Sequence, residues 1–163
     1  MSLERALAPL ALVVAVVALV VWLLLINDIA LGQWLLAILV FAHGWVHLMF
    51  VFPKPDPSAA PSSGEYPFDF GRSWLIGRLG LDAGLVRTIG LAVMVVTFAL
   101  SVLAALATAG IIIPAEWWAQ LMVGAALAST LMLLLFWSPA LLIGLAINAA
   151  MIVLVVSGTW SPA

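Results

Sequence analysis

The chain has 163 residues, 67% of them hydrophobic and only 7% charged, with five Lys/Arg against seven Asp/Glu. A soluble domain carries about a quarter charged residues, so this composition and a mean hydropathy of +1.33 exclude a soluble globular protein and predict a polytopic membrane protein. The absence of cysteine removes disulfides, iron–sulfur clusters and CxxC redox chemistry, and a net charge of −2 without a basic run argues against a nucleic-acid partner.

A bilayer core ~30 Å thick takes about 20 apolar residues per helix. Five windows qualify. The first, residues 6–26, is longer than a secretory h-region and is followed by no small-x-small site, so it is expected to stay as an anchor. A turn at Asn27-Asp28 separates it from the second, 31–52. The third, 85–109, has Asp82 as a candidate cap and Gly110 as a stop. Pro114 and Glu116 open the fourth, 117–137, in the manner of a helix N-terminus. Ser138-Pro139 then forces a break before the fifth, 139–157, and predicts a tight antiparallel hairpin. The expectation is a single all-α membrane domain, 1–163, folded as a five-transmembrane-helix bundle.

Cytoplasmic loops retain Lys and Arg. With five spans, Arg5, Lys54, Arg72, Arg78 and Arg87 all fall on one side, while the other carries only Asp28 and Glu116. The N-terminus is therefore expected in the cytoplasm and the C-terminus outside. Trp22, Trp34, Trp117, Trp118, Trp137 and Trp160 fall at or near span ends, and Trp74 in the loop. Indole prefers the headgroup level, so these read as an aromatic belt.

The cytoplasmic loop, 53–84, starts as a proline-rich linker, 53–64, which is extended by composition. Residues 65–81 differ in kind, mixing Tyr66, Phe68, Phe70, Trp74 and Leu75 with Asp69, Arg72 and Arg78. Ser73 can cap a short interfacial helix through Leu79, with Trp74 and Leu75 in lipid and Arg78 at the headgroups. The other reading is a lid over the cytoplasmic mouth, with Asp69 and Arg72 facing in.

His43 and His47 are the only histidines, four apart on the second span and hence on one face. Ionisable residues at that depth line cavities or pair across helices. Three readings stay open. Both rings can hydrogen-bond across the bundle to Thr97, Ser101, Ser129, Thr130 or Asn148, of which Asn148 is the best single partner. A His-x3-His pair can chelate a divalent metal with a loop carboxylate such as Glu65 or Asp69, or bind haem if a methionine or second protomer supplies the other axial ligand. Neither cofactor is favoured. The pair can also bind a ligand or handle protons in a cytoplasm-facing cavity. HExxH and GxSxG are absent. Thr97/Ser101, Gly124/Ala128, Ala125/Ser129 and Gly144/Asn148 read as close helix packing.

The HGWVHL helix followed by YPFDFGRSWL resembles stretches in small bacterial membrane proteins, which implies a bacterial plasma membrane. In size, span number and tryptophan content the chain is similar to the tryptophan-rich sensory proteins, without their Pro/Trp-rich motifs, so only the composition is shared. The functional expectation is a small membrane protein that binds a hydrophobic or amphipathic ligand or serves as an accessory subunit. Its site comprises His43, His47, Asn148, Tyr66, Asp69, Arg72 and Trp74 in the cytoplasmic half. The alternative is a haem- or metal-dependent redox enzyme using His43 and His47. Expected partners are the lipid bilayer, a hydrophobic small molecule, and a membrane-protein partner or a second copy of the chain.

Overall fold

The structure, a computed structural model, describes Trp22 and residues 29–52 and 67–162. The first predicted span (Trp22 apart), the proline-rich linker and Tyr66 lie outside the described residues, which contain helices and short connections and no strand. Helix α1 (Ile29–Val46) runs on into a 3-10 turn, His47–Phe50. A second such turn, Phe70–Arg72, leads to the short α2 (Trp74–Gly77). The long helices α3 (Ala83–Ala109), α4 (Trp118–Leu135) and α5 (Leu142–Ser157) follow, the last two each opened by a 3-10 turn. Among the described residues, four segments are long and apolar enough to cross a membrane: Leu31–Phe50, Ala83–Ala109, Ala115–Leu135 and Pro139–Ser157.

The ends of these helices follow from local chemistry. Asp82 Oδ1 accepts the Leu85 N–H at 2.9 Å, so α3 starts at Ala83, two residues ahead of its apolar window. Gly110 ends α3 in the left-handed region (φ 68°), where the Ile111 N–H reaches back to Leu106 O. Pro139 sits at the first position of the turn that opens α5, where its missing N–H costs nothing.

Successive long helices are antiparallel and closely packed. In α4 and α5, Ser129 meets Asn148 and, one turn on, Leu133 meets Gly144 one turn back. A Cβ on Gly144 would lie 2.6 Å from Leu133 Cδ1. Between α1 and α3, a Cβ on Gly44 would lie 2.8 Å from Ser101 Oγ and closer still to Ser101 Cβ. Small residues thus set the helix spacing, as in bundles without a hydrophobic force between helices.

The distribution of polarity differs from that of a soluble protein: polar side chains are held inside a largely apolar core, and many large apolar side chains face outward. His43, His47, Thr97, Ser101, Thr108, Ser129 and Asn148 are buried, while Val95, Val96, Leu127, Leu131, Leu142, Val153 and Val156 are exposed. An apolar exterior that leaves such polar groups to the inside suits lipid rather than water. The chain is an integral membrane protein.

At the end of the bundle that carries Arg72, Arg78 and Arg87, the chain folds back under the helices. Phe50 and Phe70 stack (5.1 Å between centroids), and Phe136 meets both edge-on at 5.7 and 5.0 Å. Phe68 also meets Phe50, at 5.4 Å. Gly90 makes room for this cluster, because a Cβ there would run into Phe70 and Phe136. Two sequence expectations change here. Leu75 does not enter lipid but is buried with Phe50, Phe70 and Phe136. At the opposite end Trp118 is not a free belt residue. It is buried in the core, its ring edge-on to Trp160 at 5.3 Å.

Ser73 holds the returning segment in two ways. Its hydroxyl accepts the Leu75 N–H at the start of α2 and donates to Leu135 O at 2.7 Å, one of the last carbonyls of α4. Ser73→Ala removes both bonds and should destabilise the segment by about 1–2 kcal/mol. Amide hydrogen exchange in detergent should then speed up across residues 68–77 and stay unchanged in α5. Unchanged protection in both would mean that the aromatic cluster alone holds the segment.

Candidate functional site

The site is assembled from one face each of α1, α4 and α5. Residues four apart on a helix share a face, so His43 and the first residue of the following 3-10 turn, His47, both point inward, with 8% and 2% exposure. Trp45, two residues from each, points elsewhere and packs half-exposed beside Phe98 and Phe41. The two imidazoles stand edge-on, 5.3 Å apart. The site lies in the half of the bundle nearer the arginines, a turn before Phe50.

Asn148, 1% exposed on α5, and Ser129, fully buried on α4, face the rings. With the Asn148 amide oriented as it is in this structure, the hydrogen bonds run in one direction. Asn148 Oδ1 can only accept, so His43 Nε2–H donates to it at 2.7 Å. The Asn148 amide N–H groups donate to Ser129 Oγ at 2.9 Å and Thr130 Oγ1 at 3.0 Å. Ser129 Oγ has one proton. Since His43 Nε2, 3.2 Å away, already carries its own, the hydroxyl donates to His47 Nε2 at 2.8 Å. His47 Nε2 is then an acceptor, and the ring proton sits on Nδ1. That atom is buried and has no hydrogen-bond partner among the described residues. A run of donated protons therefore crosses three helices and ends on a donor aimed at nothing.

Of the sequence-derived site residues, His43, His47 and Asn148 are brought together. Asp69 caps its own turn, its Oδ1 accepting the Gly71 N–H at 2.9 Å. Trp74 turns to the end of α4, its indole N–H donating to Leu134 O at 2.9 Å, and Arg72 lines a pocket with it there. Tyr66 lies outside the described residues. Thr97 and Ser101, also candidates to bond the histidines, instead donate to carbonyls four residues back, Val93 O and Thr97 O, both at 2.8 Å.

Ser129 is the hub, although in the sequence it reads equally as the small residue of a packing pair. The signal available was its spacing: Ser129 and the adjacent Thr130 are the hydroxyls deep in the fourth span. For metal chemistry, among the described residues no three His, Cys, Asp or Glu side chains come together. Both Nε2 atoms are already engaged, so a metal or haem would have to take an Nδ1 atom or displace Ser129 and Asn148. Comparison with known proteins gives no match: no protein-family model, no curated protein and no solved structure is similar to this chain.

Proposed function

We propose that this chain is a small polytopic protein of five spans with a cytoplasmic N-terminus that binds a hydrophobic or amphipathic ligand, alone or as an accessory subunit. The ligand reaches the bundle half that faces the cytoplasm and accepts a hydrogen bond from His47 Nδ1. The observation that carries this reading is that donor, buried and without a partner among the described residues, at the end of the network through Asn148 and Ser129. A buried N–H without an acceptor costs about 1–3 kcal/mol, and a carbonyl or hydroxyl on a bound molecule would recover it. The apolar surroundings suit a molecule that partitions into the bilayer. Membrane-protein partners, or a second copy of the chain, would meet the lipid-facing surfaces rather than this interior.

The test is the composition of the purified full chain. Organic extraction followed by mass spectrometry should recover one amphiphilic species near stoichiometry from the wild type. His47→Phe, which keeps an aromatic ring at the position but removes both nitrogens, should lower its recovery about tenfold, as loss of one good buried hydrogen bond requires. Equal recovery from the two proteins would sink the assignment of His47 as the ligand's donor. A Soret band, or stoichiometric zinc, iron or copper lost in the same variant, would replace the ligand reading with the haem or metal one.

A further inference from the structure

Away from the histidines, beside the returning loop segment, lies an open pocket of about 560 Å³ lined by Arg72, Trp74, Arg78, Leu134 and Trp137. Its shape is built rather than incidental. The Trp74 indole and the Ser73 hydroxyl are both bonded to the last carbonyls of α4, which hold one wall of the pocket against the helix end. Trp74, Leu134 and Trp137 are each half-exposed, on a surface that in a membrane protein meets lipid. Arg78 is exposed just past α2. Arg72 is engaged by a partner of its own, but a guanidinium has five N–H donors, and one partner leaves others to a second ligand.

We propose that this pocket binds the phosphate group of an anionic phospholipid. Arg72 and Arg78 take the phosphate oxygens, and the two indoles with Leu134 lie along the glycerol and upper acyl chains. Paired guanidiniums match phosphate geometry, and indoles favour the headgroup level. Free phosphate offers the same oxygens but has no use for three exposed apolar side chains, which is why the lipid is the favoured source. The chain as a whole carries a net charge of −2, so overall charge gives no reason to prefer an anionic lipid. Any such preference has to come from a local site. This inference stands apart from the histidine network and does not depend on the ligand there.

The experiment is native mass spectrometry of the full chain released from nanodiscs of equal phosphatidylglycerol and phosphatidylcholine. The wild type should retain phosphatidylglycerol selectively. Arg78→Gln, a change to an exposed side chain that leaves the Ser73 and Trp74 bonds intact, should cut that preference about fivefold. Arg87→Gln, an exposed arginine at the same end but outside the pocket, should leave it unchanged. Equal retention of the two lipids by the wild type overturns the proposal even if the variant fails to fold. So does an unchanged preference in Arg78→Gln, or an equal fall in Arg87→Gln. Displacement of phosphatidylglycerol by excess inorganic phosphate would overturn the lipid assignment in favour of the free anion.

Discussion

Replacing Phe136 with alanine is expected to destabilise the fold by about 3–5 kcal/mol, the range for truncating a fully buried aromatic ring. Phe136 has no exposure and is the shared edge of the aromatic cluster, touching Phe50 from α1's terminal turn and Phe70 from the loop segment. In a membrane, where lipid is as apolar as the core, most of that loss is dispersion contact along the cavity wall. The effect should also be local: with no ring beneath it, the segment around Phe70 loses its seat. Unfolding in mixed micelles measures the first quantity, and limited proteolysis of residues 67–77 measures the second. Phe136→Leu should recover part of both. A cost under about 1 kcal/mol with the segment still protected would show that Phe70 and Phe50 hold it without Phe136.

The second large effect is expected at Gly44. An alanine there overlaps Ser101 on α3, and the contact is with Cβ, next to the backbone, so a rotamer change cannot relieve it. Forcing α1 and α3 apart should cost about 2–3 kcal/mol and should also shift the histidines, which flank Gly44 on the same helix. Ser101→Gly removes the opposing Cβ at about 1 kcal/mol for glycine in a helix. The double variant Gly44→Ala/Ser101→Gly should therefore be more stable than Gly44→Ala alone, a coupling that a double-mutant cycle detects. Additive losses would mean that the helices are not in contact at this point.

What could be read from the sequence was whatever local chemistry decides. Asp82, Gly110 and Pro139 mark helix ends because capping, left-handed glycine and the missing proline N–H act within a few residues. Asn148 was legible as the histidines' partner because an amide deep in hydrocarbon must find one. Its companions were not. Thr97, Ser101 and Ser129 look alike in sequence, yet two of them bond their own helix and only Ser129 reaches across. Which hydroxyl does so depends on rotation of whole helices about their axes, and a nearly all-apolar span carries little periodicity to set that rotation. The aromatic cluster was hidden for a related reason. Phe50, Phe70 and Phe136 are far apart in the chain, and each alone resembles an interfacial anchor. Leu75 was misplaced because an exposed-looking interfacial segment and one tucked under the bundle have the same composition.

The run from His43 through Asn148 and Ser129 to His47 has one further property. Asn148 and Ser129 each both give and receive, and Ser129 has a single proton to give, so neither can reverse its role alone without setting two donors or two lone pairs against each other. The complete reversal is also self-consistent: the Asn148 amide turned over, the Ser129 and Thr130 hydroxyls rotated, and the ring proton moved in both imidazoles. The network therefore has two self-consistent directions, like a row of arrows that all point the same way. An acceptor placed at Nδ1 of His47 would favour the direction found here, and a donor would favour the opposite one. Contact at that ring atom would thereby be felt at Asn148 on α5, through Ser129, without any helix having to move.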